Sequence, residues 1–213
     1  MAIGTNCYKS TIGKVIRPEV GEGIMLSLED YRDQGINARR NIDVGKVRKF
    51  ALGLNRTFSN NGKLIVFGNG GSAADAQHFV GELDGHFTSE RGALPAIALS
   101  TNTSSMTAIA NDYSYDDVFS RPVAALANKG DIVVGISTSG NSKNVIKAIN
   151  AAKEKGAYTV ALTGRSGGKL KDIVDELFNV DSDFTPIIQE VHISIIHMIC
   201  LELDRILEDS QQS

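Results

Sequence analysis

Four short runs, 63–67 (KLIVF), 96–100 (AIALS), 131–136 (DIVVGI) and 159–162 (TVAL), are apolar almost without interruption. A strand with one face in water alternates apolar and polar residues, so a continuously apolar strand has to be covered on both faces. A fifth strand-like run follows at 176–180 (ELFNV). Segments with helical spacing lie between and after these runs, near 72–86, 103–110, 117–128, 142–155, 168–174 and 187–208. Strands alternating with helices through short connections predict an α/β chain, a parallel sheet with helices on both sides. In such sheets ligands bind outside the carboxyl ends of the strands, which directs the search for chemistry to the loops that follow them.

Residues 1–26 mix glycine, proline and polar residues without periodicity and are expected to form an irregular arm. From 27 to 61 apolar residues recur at three- and four-residue intervals, which predicts helices, and Asn60-Asn61-Gly62 closes the stretch with a turn. At 213 residues and 42% apolar, the part from 27 to 213 suits one domain that includes this helical segment. A net charge of -3 and scattered basic residues argue against a nucleic-acid partner. Arg39, Arg40, Lys46, Arg48 and Lys49 read as a solvated helix face. No uninterrupted apolar run reaches the roughly 18 residues that cross a bilayer, and the start lacks the apolar core of an export signal. Two cysteines, Cys7 and Cys200, make no disulfide framework, and Cys200 reads as a buried small hydrophobe. The expectation is a cytoplasmic protein with no membrane partner.

Two loops carry the strongest chemical signal. After the third strand the chain reads Gly135-Ile136-Ser137-Thr138-Ser139-Gly140-Asn141-Ser142 and then enters a helix. A helix N-terminus offers unpaired N–H groups and partial positive charge to a phosphate dianion. An ordinary N-cap needs one hydroxyl, whereas Ser137, Thr138, Ser139 and Ser142 supply four, with Gly140 expected to let the backbone approach the ligand. After the first strand comes Gly68-Asn69-Gly70-Gly71-Ser72-Ala73-Ala74-Asp75, which is neither a Walker loop nor a dinucleotide fingerprint. Here Ser72 is expected to cap the next helix, with Asp75 as its acidic partner three residues on. By itself this loop fits turn chemistry as well as ligand contact.

Further along, His78 and Glu82 stand four apart on one helical face. In the last helix Gln189, Ile193 and His197 drift along one side, and the apolar neighbours of His197 predict a lowered pKa unless a carboxylate or metal compensates. By spacing alone His78 and Glu82 read as a surface pair, and His197 in its apolar helix as a satisfied core histidine. His192 faces away from the Gln189–His197 line, and His86 lies beyond its helix.

GNGGS and GISTSGNS, with PAIALS and AIANDYSYDDVFSR between them, resemble the phosphosugar-binding SIS domains, specifically the phosphoheptose (sedoheptulose 7-phosphate) isomerases. The likeness covers about 63–202. It implies a flavodoxin-like three-layer αβα sandwich with a five-stranded parallel sheet, and a homotetramer with active sites between subunits. It implies conversion of sedoheptulose 7-phosphate to D-glycero-D-manno-heptose 7-phosphate through an enediolate, for heptose biosynthesis and lipopolysaccharide. It also implies one Zn²⁺ per subunit held by His78, Glu82, Gln189 and His197, with Glu82 and His197 catalytic. The substrate would be lined by Asn69, Gly70, Gly71, Ser72, Glu82, Asn111, Asp112, Ser137, Thr138, Ser139, Ser142 and Gln189. The chain departs from the family at His86 and Ile187, where arginine is frequent, which bears on which sugar is taken. Two alternatives share the motifs: an isomerase of another phosphosugar, and a non-catalytic protein similar to those that bind the DnaA initiator. The second lacks the catalytic pair, whereas this chain carries Glu82 and His197.

Overall fold

The computed structural model describes residues 26–211. The expected arm, 1–26, falls outside them except for Leu26, as does Cys7. Helices α1 (Leu28–Arg40) and α2 (Val44–Ser59) come first, N-capped by the Ser27 and Asp43 side chains, which accept from Asp30 N and Lys46 N. Then follow β1 (Leu64–Gly68), α3 (Gly71–Asp84), β2 (Ala96–Ala98), α4 (Thr103–Asp112), α5 (Ser120–Leu126), β3 (Ile132–Ser137), α6 (Lys143–Glu154), β4 (Tyr158–Gly164), β5 (Glu176–Val180) and α7 (Thr185–Gln211). The segment expected to be helical near 168–174 is a short 3₁₀ turn, Gly168–Asp172. The helix expected over 117–128 divides into a 3₁₀ turn, Tyr115–Asp117, and α5.

All strand pairs are parallel, in the order β2-β1-β3-β4-β5. Leu64, Val66, Ile132, Val134, Ile136, Val160 and Leu162 point to one face, where α2, α3 and α7 bury Phe50, Leu54, Phe79, Leu83, Ile188 and Ile196. Ile65, Phe67, Val133 and Ala161 point to the other, against Val123 of α5 and Val145 and Ile149 of α6. The two-residue period of the strand thus feeds two cores, which is the three-layer αβα sandwich. Phe50 of α2 meets Phe178 of β5 edge to face at 5.5 Å, so the N-terminal helices share the sheet's core.

Thr185–Ser210 is long and apolar enough to cross a membrane by length and composition, although charged residues interrupt it. Its apolarity has another cause. Ile187, Ile188, Val191, Ile195, Ile196, Ile199, Cys200 and Leu203 are buried inside the domain. Polar Glu190, His192, Glu202 and Asp204 are interleaved among them.

The strand order reverses between β1 and β3: the chain leaves β1 for β2 on one side and β3 for β4 on the other. A crevice opens at such a switch point. Register places Gly68 beside Ile136, so the glycine and serine loops leave the sheet as neighbours.

Since Leu54 of α2 is fully buried in the core shared with β1, β3 and α7, Leu54→Ala is expected to cost about 2–5 kcal/mol. In urea unfolding followed by circular dichroism, the loss should appear as one cooperative transition with a shifted midpoint.

Candidate active site

Both loops at the switch point are fixed by a pair of amides. Asn69 Nδ2 donates to Asn144 Oδ1 at 2.9 Å, and Asn144 Nδ2 returns a bond to Asn69 Oδ1 at 2.8 Å. Asn69 Oδ1 also accepts from the Tyr115 hydroxyl at 3.0 Å, drawing in the segment after α4. Asn144 is buried in the first turn of α6, where its Oδ1 also accepts from Val145 N. Neither Asn144 nor Tyr115 stood out in the sequence. The signal for Asn144 was a small amide on the apolar side of a helix start.

The serine loop ends in α6, whose N-cap Ser142 makes no side-chain capping bond. Its hydroxyl instead lies 2.9 Å from that of buried Ser137. Thr138 and Ser139 are half-buried, and Ser139 Oγ accepts from Asn141 N. Hydroxyls facing one another beside a helix N-terminus suit an anion. Gly140 has a packing reason as well. At φ +65°, its missing Cβ leaves room for the backbone of Gly167 and Gly168. The glycine packs loop on loop.

Ser72 does not cap the next helix. Gly70 occupies the N-cap at φ 58°, α3 starts at Gly71, and Ser72 is buried within its first turn. Positive φ is permissive for glycine, so the helix starts before the serine. Asp75 is therefore not a capping partner. One of its oxygens is buried without a hydrogen-bond partner, and burial pushes its carboxyl up to about 6, against an opposing pull from His78.

α3 and α7 bring the candidate catalytic residues together. His78 Nε2 lies 2.7 Å from Glu82 Oε1 and 3.2 Å from His197 Nε2. One donor atom from each of these three residues falls within 4.8 Å of the others. Two imidazole nitrogens facing each other at this distance require a shared proton or a shared cation. Two nitrogens and a carboxylate oxygen are a donor set that zinc accepts, with ligand-to-ligand spacing of about 3.3 Å in tetrahedral geometry. Burial lowers the His197 pKa, as its apolar neighbours predicted; His78 and Arg39 add to the shift and Glu82 opposes it. Phe87, from the loop after α3, covers the imidazole at 5.5 Å between ring centroids.

Gln189 meets the glycine loop rather than this trio, with its carboxamide against Gly71. Asn111 and Asp112 end α4, exposed and bonded to each other at 2.8 Å. His192 is fully buried on the sheet side of α7, where its Nε2–H donates to the Thr163 carbonyl. Burial draws its pKa down to about 4. His86 is exposed beyond the end of α3, as expected. Ile187 is buried in the core, so that position offers apolar packing and no charge.

The SIS domain family matches residues 31–164. A probable phosphoheptose isomerase of Thermoplasma acidophilum is 62% identical over 179 residues, 84% of this chain and 98% of that protein. The chain belongs to the phosphoheptose isomerase family. A Helicobacter pylori phosphoheptose isomerase is 56% identical over 70% of this chain and 78% of its own length. The structure of a phosphoheptose isomerase from Neisseria gonorrhoeae superposes with TM-score 0.77 at 45% identity, covering 82% of this chain and 95% of that one. One from Francisella tularensis gives 0.80 at 37% identity, covering 83% and 96%. The αβα architecture is that of the family, and the relatives name an isomerase.

Asp75 supplies a test of this electrostatic arrangement. Its carboxyl titrates near 6 when folded and near 3.8 otherwise, so the folded state holds the extra proton and stability falls as pH rises from about 4 to about 6. In metal-free protein, Asp75→Asn should raise the urea midpoint at pH 7.5 and leave it nearly unchanged at pH 3.5.

Proposed function

We propose that this isomerase interconverts sedoheptulose 7-phosphate and D-glycero-D-manno-heptose 7-phosphate, supplying a heptose precursor in the cytoplasm. The observation that carries the reading is the meeting of Glu82 with His78 and His197 across two helices. Beside their N-terminal ends, Gly71 packs against Gln189 and the glycine loop is tied to the serine loop.

In this reading the serine loop and the first turn of α6 hold the phosphate through Ser137, Thr138, Ser139 and Ser142. Asn69, Gly70, Gly71, Ser72, Asn111, Asp112 and Gln189 line the sugar. Glu82 takes a proton from C1 of the ketose as the C1–C2 double bond of the enediolate forms. It then returns that proton to C2 as the C1 carbonyl forms. His197, whose pKa burial lowers, moves the second proton from O1 to O2. Proton and electron pair stay within the substrate, so no oxidant is involved. Glu82 has to release its His78 contact to act as a base, since a carboxylate already engaged binds a proton less readily.

His78, Glu82 and His197 would hold Zn²⁺, with Gln189 as a fourth ligand, and the ion would polarise the substrate oxygens as a Lewis acid. Gln189 stands eight residues before His197, about 12 Å along the helix. Ligation within one chain therefore needs its amide to leave Gly71, and a homotetramer with sites between subunits would offer a neighbour's amide instead. The exposed apolar residues Leu28 and Ile36 of α1 and Leu201 of α7 favour such assembly.

Glu82→Gln keeps size and shape and removes the base. With sedoheptulose 7-phosphate as substrate, kcat should fall about 10²–10⁴-fold, while calorimetric affinity for the sugar phosphate stays within a fewfold. Retained turnover would remove Glu82 from the proton path.

A further inference from the structure

The one ion pair among the described residues with both side chains nearly sealed from solvent is Arg91 with Asp204, exposed by 3% and 2%. Arg91 Nε donates to Asp204 Oδ1 at 2.9 Å. Its remaining nitrogens turn to the end of α3, Nη2 to the Glu82 carbonyl at 2.7 Å and Nη1 to the Leu83 carbonyl at 2.9 Å. Nη1 also reaches the Gly92 carbonyl at 3.2 Å. The other oxygen of Asp204 accepts from Thr88 N at 2.9 Å, Thr88 Oγ1 at 2.9 Å and Ser89 N at 3.1 Å. Asp204 thus ties α7 to the loop leaving α3, and Arg91 ties that loop back to the end of α3.

We propose that Arg91 and Asp204 are positioning residues that set the axial register of α3 against α7, and through it the Glu82–His197 geometry. Asp204 follows His197 by seven residues, two turns along nearly the same face of α7. Arg91 grips the backbone of Glu82 itself. A closed circuit results: Glu82 carboxylate, His78, His197, two turns of α7, Asp204, Arg91 and back to the Glu82 carbonyl. The guanidinium also places positive charge at a helix C-terminus, where it satisfies carbonyls the helix leaves unpaired. Stability alone is a weak reason for such a pair, because apolar replacements of similar volume are often as stable or more so. The planar fork gives something they do not, a fixed distance and angle between two helices.

The test compares Arg91→Lys, Asp204→Asn and the apolar double variant Arg91→Met/Asp204→Leu with the parent. Arg91→Lys keeps the charge and loses the fork. Three readouts are taken: melting temperature, kcat and KM for sedoheptulose 7-phosphate, and the visible absorption and affinity of added Co²⁺. A positioning role predicts kcat and Co²⁺ affinity each lower by about 10–100-fold, a shifted cobalt spectrum and KM within about twofold. The double variant should regain melting temperature without regaining kcat. Folded variants with parental kcat and cobalt spectrum, whatever their melting temperature, would overturn the proposal. Failure of all three to fold would overturn it too, by making the pair a folding element. The kinetic arm rests on the isomerase reading and the cobalt arm does not. A parent that binds cobalt without turning over the sugar would sink that reading and leave this one to the spectra.

Discussion

Contact between α3 and α7 is the constraint on which the chemistry depends. The two helices run in the same direction: Gly71 meets Gln189, His78 meets His197, and the end of α3 reaches Asp204 through Arg91. Three contacts in step along both chains fix translation as well as distance. A shift of one residue, about 1.5 Å along a helix, would part the imidazoles and break the amide packing at Gly71. Side chains held by packed helices keep their geometry better than side chains on loops.

Below that contact lies the sheet. β1 and β3 are neighbours because their crossovers leave in opposite directions, and this juxtaposes two loops 68 residues apart in sequence, as the register of Gly68 with Ile136 records. The Asn69–Asn144 pair then ties the loops with two reciprocal bonds, and Tyr115 adds a third. The glycine and serine loops are thereby held beside the N-terminal end of α3, the helix that carries His78 and Glu82. Burial lowers the His197 pKa, and it raises that of the Asp75 carboxyl, one turn before His78 on α3, to about 6.

The strands were legible because burial on both faces leaves little choice of residue: β1, β3 and β4 appear as apolar runs and fold as expected. His78, Glu82 and His197 were legible as helical spacings, and their meeting rested on a likeness to known enzymes until the helices were placed. What sequence spacing misses is contact made at a distance. Arg91 and Asp204 are 113 residues apart, and neither sits in a motif. Ser72 misled because serine is the usual N-cap, yet Gly70 reached a positive φ first and started the helix ahead of it. Gly140 also answers to a contact that spacing does not show, the close approach of the Gly167 backbone. α7 is apolar enough to suggest a bilayer because it is the central core helix of its layer.

A double-mutant cycle on kcat with Glu82→Gln and His197→Asn tests most directly whether the two side chains act as one unit on the sugar phosphate. Groups that share one transition state are grossly non-additive, so the double variant should be about as slow as the slower single variant. Losses that multiply, with each substitution costing the same factor whether or not the other is present, would contradict a shared site.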